Sequence, residues 1–350
     1  MRICILGATG LVGRESLDLV ERAWPGAELS LFASRDQVLA HRGSKLDVSA
    51  AASLETDDAP RGDLALVALD DDHSQRYVPR LLELGYRVVD KSNCYRLDPN
   101  VPLVVAGVNS DIVGETTKLV ANPNCTTIPF AMAMRPLRDR FGLASLAVST
   151  YQAISGAGIG PLKEFIEDSA AGYAAATATD GHMLGDMFDA GRYAGNTVPH
   201  NGKTDDSGFS AEERKLVQES RKILDLPELR ISSQCCRVPV AVGHYMNVWL
   251  TLEKAADPNQ IEDAIASASF VRVLSGPVGE GLSALHCVAD RDRALVGRLR
   301  RDQRDDSGRS FCLTVVGDNL RLGAATNAVR IASCWFPSRD PELQAGAVST

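Results

Sequence analysis

A glycine turn follows the first apolar run of the chain. Residues 1–6 read as a buried strand, Gly7-Ala8-Thr9-Gly10-Leu11-Val12-Gly13 as the turn, and residues 11–22 as a helix. Glycines at these positions permit a tight turn, let the backbone approach a pyrophosphate, and let the helix pack closely on the strand. The first amides of the helix have no carbonyl partner within it, so they face the phosphates of a bound dinucleotide. The rhythm then continues. Residues 28–33, 64–69, 87–90, 103–106 and 118–121 read as strands, and residues 74–84 as a helix. Strands alternating with helices imply parallel βαβ units with helices on both faces, a Rossmann-type doubly wound sheet.

The end of the second strand chooses between NAD and NADP, because it lies beside the adenosine ribose. Here it reads Ser34-Arg35-Asp36. Ser34 and Arg35 suit the 2′-phosphate of NADP, which is therefore favoured, whereas Asp36 leaves NAD open.

The texture changes after Asn124. Residues 126–141, 161–176 and 210–224 read as helices, and residues 146–152, 238–252 and 311–316 as strands. This pattern implies a second, α+β domain with a mostly antiparallel sheet. Residues 193–207, rich in Gly, Asn and Asp, are expected to form a long loop with a functional role. The mixed charges of residues 291–310 suggest a solvated loop or sheet edge.

A chain of 350 residues with 45% hydrophobic and 23% charged residues can bury two ordinary cores. Its net charge of −8 argues against a nucleic-acid or membrane footprint, so an anionic substrate must be caught by a few placed cations. The eight cysteines are scattered, with no CxxC spacing and no grouping with His. Reduced thiols in a cytoplasmic protein are expected, with Cys4 packed in a strand as a small hydrophobe and no metal site. The first apolar stretch, residues 3–6, is too short for a signal peptide and runs into the glycine turn, and no 18-residue apolar span occurs.

One cysteine stands apart. Ala121-Asn122-Pro123-Asn124-Cys125-Thr126-Thr127 joins an apolar strand to a helix. Cys125 is thus placed at a helix N-terminus, where unpaired amides and the helix dipole stabilise a thiolate, the form that acts as a nucleophile.

With these segments in view, the chain resembles the aspartate-semialdehyde dehydrogenase family along nearly its whole length. The matching segments are GATGLVG at 7–13, Arg96 within YRLDPNVPLVV, NPNCTT at 122–127, STYQAISGAG at 149–158, FSAEERKLVQESRKIL at 209–224, RVPVAVGH at 237–244, VGRLRRD at 296–302 and DNLRLGAATNAVRIA at 318–332. The resemblance implies that Cys125 attacks an aldehyde carbon, that hydride passes to NADP, and that phosphate cleaves the resulting thioester. The physiological direction is then reduction of aspartyl β-phosphate to the semialdehyde. His244 is implied as general acid/base and Gln152 as a neutral hydrogen-bonding group at the catalytic centre. Arg237 is implied to clamp the substrate carboxylate, Glu212 to pair with its ammonium, and Lys215, Arg96 and Asn124 to serve the phosphate or substrate. Ser155, Gly156 and Asn327 join Gly7, Thr9, Gly10, Leu11, Val12, Gly13, Ser34 and Arg35 at the cofactor. The resemblance also implies a discontinuous NADP-binding domain of residues 1–127 and 326–350. Residues 128–325 would form the catalytic and dimerisation domain of a homodimer or homotetramer.

Two segments depart from the family pattern. Where the family has a small Ala-Gly-Gly turn over the cofactor, this chain reads Leu69-Asp70-Asp71-Asp72-His73-Ser74, and carboxylates beside a pyrophosphate would repel it. Where the family has NSSAFR, this chain reads Lys91-Ser92-Asn93-Cys94-Tyr95-Arg96, which adds a cation. A paralogue reducing a related acyl phosphate or thioester, and a catalytically silent binding subunit, are the competing expectations; the presence of Cys125 and His244 argues against the second.

Overall fold

The computed structural model describes residues 1–178, 193–199, 204–275 and 281–346. The chain divides into two compact units, one of residues 1–132, 218–227 and 321–350, the other of residues 133–217 and 228–320. The sequence placed 218–227 in the second domain. These residues instead cluster with the first, where Lys222 Nζ donates to the carbonyls of Arg96, Asp98 and Val101 at 2.9, 2.7 and 2.9 Å.

In the first unit, β1 (Arg2–Leu6), α1 (Leu11–Ala23) and β2 (Glu28–Ala33) form a parallel βαβ motif. An antiparallel hairpin follows, β3 (Gln37–His41) and β4 (Ser44–Ala50), which the sequence reading missed because its strands are short and half exposed. The chain then returns across β1 to β5 (Leu64–Val67), α2 (Asp71–Glu83), β6 (Arg87–Asp90) and β7 (Leu119–Ala121). Among the described residues the sheet order is β3-β4-β2-β1-β5-β6-β7. The order reverses between β1 and β5, and in open α/β sheets ligands bind at the carboxyl ends of the strands at such a switch point. Alternate side chains of β1 enter opposite cores: Ile3 and Ile5 pack with Leu17, Val20 and Val329, while Cys4 and Leu6 pack with Val67, Val78 and Leu81. Residues 103–106, expected as a strand, contribute only an isolated bridge from Leu103 to Ala121.

The helix α3 (Thr127–Phe141) runs from residues of the first unit into those of the second. The second unit carries β8 (Leu143–Gln152), α4 (Ile159–Ala178), β9 (Val198–Pro199), α5 (Ala211–Ile223), whose last part belongs to the first unit, β10 (Arg230–Arg237) and β11 (His244–Leu252). After these come α6 (Pro258–Ala266), β12 (Val271–Leu274), α7 (Ala284–Ala289), β13 (Ala294–Arg301) and β14 (Ser310–Gly317). Its sheet order is β12-β13-β14-β11-β8-β10-β9, mixed, with antiparallel pairing throughout β14, β11 and β8. Two expectations are corrected here. The run at 238–252 is a strand only from His244, because residues 238–243 form a turn in which Val240 N donates to Val238 O. The charged segment 291–310 contains β13, whose first four residues are buried against β14. Of the loop expected at 193–207, residues 193–199 include β9, and residues 200–203 lie outside the described residues. The chain ends its first unit with α8 (Asn327–Ala332). No described helix is long and apolar enough to cross a membrane.

Candidate active site

The dinucleotide cradle is built by close approach. Gly7 has φ +90°, and a Cβ there would lie 2.6 Å from the carbonyl oxygen of Ala68, at the end of the neighbouring strand. A Cβ on Gly13 would sit 2.2 Å from the Gly7 oxygen, so only glycine lets α1 enter this close to the turn. Gly10 is the N-cap of α1 and offers no side-chain acceptor, and the first helical bond runs from Arg14 N to Gly10 O at 3.0 Å. The amides of Leu11, Val12 and Gly13 therefore present the anion-binding end of a helix. Ser34 and Arg35 are exposed directly after β2. Asp36 already accepts the Ala50 amide at 2.7 Å.

The three carboxylates after Leu69 are the start of α2 rather than an open loop. Asp70 is its N-cap, accepting the His73 amide at 3.0 Å and meeting His73 Nδ1 at 2.8 Å. The His73 hydrogen bonds hold the Asp70 carboxyl below its usual range. Asp71 accepts the Asn93 amide at 2.7 Å. Acidic side chains in a first helical turn are favoured by the dipole, which accounts for the run. Among the described residues, Asp18, Glu21 and His41 also converge, but Arg42 already lies 2.9 Å from Asp18 and 3.4 Å from Glu21.

Cys125 lies in the turn between β7 and α3, two residues before the helix begins. Asn124 shapes this turn. Its Oδ1 accepts the Thr126 amide at 2.9 Å and the Thr126 hydroxyl at 2.7 Å, and the Cys125 thiol lies 3.7 Å from the same oxygen. The strand ends on either side are tied together, with Asn122 N donating to Asp90 O at 2.7 Å. Lys91, half-buried on the loop after β6, has its ammonium pKa lowered by burial and by Arg96, against the opposing attraction of Cys125, Asp90 and Asp70. That attraction is mutual, so Lys91 favours the thiolate of Cys125.

Arg96, expected as a phosphate ligand, is heavily engaged within the protein. Its Nε donates to Asn122 O at 3.1 Å, Nη1 to Asn93 Oδ1 at 3.1 Å and Glu219 Oε1 at 2.9 Å, and Nη2 to Lys91 O at 2.5 Å. Four of a guanidinium's five N–H groups are thus committed to the walls of the cysteine turn. Asn327, expected beside the nicotinamide, uses both amide protons on Val104 O and Asn122 Oδ1, while its Oδ1 accepts the Ala106 amide. It braces the same turn from behind.

The second unit gathers the other expected residues through its strand register. β8 and β10 are parallel and end in register at Gln152 and Arg237, while antiparallel β11 begins beside them at His244. Gln152 Nε2 donates to Glu212 Oε1 at 2.9 Å, and Lys215 Nζ lies 3.4 Å from Glu212 Oε2. The buried Gln152 Oε1 has no hydrogen-bond partner among the described residues. Arg237 Nη1 donates to Ala153 O at 2.7 Å, and Ala153 N donates to His244 Nδ1 at 3.1 Å. An imidazole whose Nδ1 accepts carries its proton on Nε2 when neutral. Gly156 fits because a Cβ there would come within 2.9 Å of Arg237 Nη1 and 3.4 Å of His244 Cε1. Ser155 Oγ accepts Asn319 Nδ2 at 2.9 Å, and Asn319 Oδ1 accepts the Gly243 amide at 2.9 Å, so Asn319 joins the turn after β8 to the turn before His244.

Sequence reasoning missed Glu219, Lys222 and Asn319. The first two had a signal, since Glu219/Lys222 repeats the Glu212/Lys215 spacing seven residues later. Asn319 stood inside a matched segment with no feature to separate it from its neighbours.

Comparison with known proteins identifies the family. Residues 2–116 match the family described as semialdehyde dehydrogenase, NAD binding domain, and residues 134–322 match semialdehyde dehydrogenase, dimerisation domain. The chain is 35% identical to aspartate-semialdehyde dehydrogenase of Aquifex aeolicus over 95% of its own length and 96% of the relative's. With the Corynebacterium glutamicum enzyme of that name the identity is 36%, covering 94% of this chain and 98% of the other. The crystal structure of aspartate semialdehyde dehydrogenase II from Vibrio cholerae superposes with a TM-score of 0.83 at 31% identity, covering 95% of this chain and 97% of that one. A chain with this pair of units, this glycine cradle and this cysteine turn belongs to the aspartate-semialdehyde dehydrogenase family of oxidoreductases.

Proposed function

We propose that this chain interconverts L-aspartate 4-semialdehyde and L-aspartyl 4-phosphate through a thioester on Cys125, with NADP as cofactor and phosphate as co-substrate. The observation that carries the reading is the turn at Cys125, a thiol held at the amino end of α3 and attracted to Lys91.

The Cys125 thiolate adds to the aldehyde carbon and forms a C–S bond, giving a thiohemiacetal. A dinucleotide held at the glycine cradle of residues 7–13 would supply the hydride acceptor, and loss of hydride from that carbon would leave a thioester. Phosphate then attacks the thioester carbonyl, the C–S bond breaks, the acyl phosphate leaves and the thiolate is restored. In the reducing direction the same steps run backwards. The Nε2–H of His244 donates a hydrogen bond to the oxyanion of each tetrahedral species, which expels hydride or thiolate with no net proton transfer. Arg237 clamps the substrate carboxylate and Glu212 its ammonium, with the open Gln152 Oε1 as a further acceptor. Lys215 and the remaining N–H of Arg96 serve the phosphate.

The glycine cradle fits a dinucleotide pyrophosphate, because added Cβ atoms at Gly7 and Gly13 would strike backbone. The exposed Ser34 and Arg35 after β2, together with the prior engagement of Asp36, support NADP. A homo-oligomer in the cytoplasm completes the proposal.

The test is phosphate-dependent reduction of NADP⁺ with aspartate semialdehyde, run beside Cys125→Ala. The wild type turns over and Cys125→Ala loses roughly 10⁴-fold in kcat. Absence of wild-type turnover with both NADP⁺ and NAD⁺ sinks the substrate assignment, and retained activity in Cys125→Ala sinks the covalent route. Arg35→Ala raises the KM for NADP⁺ about tenfold with little change for NAD⁺, as loss of a charge-assisted phosphate contact requires.

A further inference from the structure

Glu219 is a buried carboxylate whose side chain meets the cysteine turn, at 1% exposure. Its two oxygens do different work. Oε1 accepts Arg96 Nη1 at 2.9 Å, and Oε2 accepts the backbone amide of Asn124 at 2.7 Å. That amide belongs to the residue immediately before Cys125. Arg96 in turn reaches Asn122 O and Lys91 O, so one carboxylate and one guanidinium grip both loops that flank the thiol.

We infer that Glu219 is a positioning residue for Cys125, fixing the peptide that presents the thiol and offsetting the charge of Arg96 beside it. A buried carboxylate is costly to desolvate, and here the cost is met by a charge-assisted bond to Arg96 and an amide at a site where position matters. The arrangement also sorts the cations around the thiol. The charge of Arg96 is balanced by Glu219, while Lys91 keeps an electrostatic attraction to Cys125. Without Glu219, two cations would act on the thiol together, and the turn would lose its hold on the Asn124 amide. A cysteine that must leave as a thiolate from a thioester, and attack as one, works best with a basicity between these extremes.

This inference rests on Cys125 being the nucleophile, and the experiment separates the two. The pH dependence of iodoacetamide alkylation is followed at the Cys125 peptide by mass spectrometry, which reports the thiol whether or not it is catalytic. Glu219→Gln keeps an acceptor for the Asn124 amide but removes the charge, and the alkylation midpoint falls by about one pH unit. In the double variant Glu219→Gln/Arg96→Met, which removes both charges, the midpoint returns to the wild-type value. A merely structural role predicts no such return. An unchanged midpoint in folded Glu219→Gln, or a double variant that stays shifted, overturns the inference. Should Glu219→Gln not fold, Glu219→Asp decides. It retains the charge and withdraws the oxygens by one methylene, so kcat falls about tenfold with the KM for the semialdehyde unchanged. An unchanged kcat in Glu219→Asp overturns the inference.

Discussion

The two ends of α5 carry the same sequence device with different consequences. Glu212 and Lys215 stand three residues apart, as do Glu219 and Lys222 one heptad later, so all four share a helical stripe. In the first pair the side chains meet each other at 3.4 Å, and Glu212 also receives Gln152 at 2.9 Å. In the second pair Glu219 turns to Arg96 and the Asn124 amide, and Lys222 donates to three backbone carbonyls. Identical spacing thus places one lysine beside Glu212 at the end of β8 and makes the other a staple of the chain before Pro102. The difference lies in what each residue finds at the end of its side chain, which helix periodicity does not encode.

Exchanging the two lysines for methionine separates the roles most widely. Lys215→Met should lower kcat/KM roughly 100-fold at a stability cost of about 1 kcal/mol, since Lys215 is itself partly exposed and the buried Glu212 keeps its hydrogen bond from Gln152. Lys222→Met should do the reverse. Three carbonyls lose their donor, costing about 2–4 kcal/mol, while activity per folded molecule stays within about threefold. Thermal unfolding and steady-state kinetics on both proteins check this. A Lys222→Met protein with wild-type stability and depressed activity would break the distinction.

Gly156→Ala probes the end of the sheet that Glu212 and Gln152 serve. The added methyl would come 2.9 Å from Arg237 Nη1, which must shift from its bond to Ala153 O. Because Ala153 also anchors His244 through its amide, a small displacement there moves Arg237 and His244 together. The expected outcome is a fall in kcat/KM of about 30-fold with unfolding displaced by no more than about 1 kcal/mol. Unaltered kinetics would show that the turn can move without Arg237 and His244.

The comparison along α5 also marks how far the sequence could be read. The glycine turn, the parallel strands and the place of Cys125 before a helix were legible because each depends on local chemistry: strand, turn, helix start. The convergence of Gln152, Arg237 and His244 was legible only by resemblance, since it is the register of β8, β10 and β11 that brings them to one sheet end. Arg96 shows the limit most clearly. Its residue type suits phosphate, yet its partner Glu219 lies 123 positions away in the chain and leaves little of the guanidinium uncommitted. Asp70 and Asp71 show a different limit: a run of acids does not reveal from sequence that it caps α2, with Asp70 on the nearby His73 and Asp71 on Asn93.

Lys91 gives the smallest effect and the finest test of the same contrast, between charge kept for function and charge used for folding. Burial, and then Arg96, pull its ammonium below the ordinary value of 10.5. A lysine whose folded pKa is depressed destabilises the fold wherever it is charged. The penalty is complete below the folded pKa and fades as pH rises through it toward 10.5, because in that interval the unfolded chain holds more protons. Lys91→Met removes the penalty. Its Tm should therefore exceed that of the wild type by about 2 °C at pH 7, with the gap narrowing as pH rises toward 10. Activity should move the other way, with kcat/KM reduced about tenfold as the thiolate of Cys125 loses its neighbouring cation. Greater stability with lower activity is the signature of a charge retained for chemistry; a Lys91→Met protein that is less stable at pH 7 would place Lys91 with Lys222 among the staples.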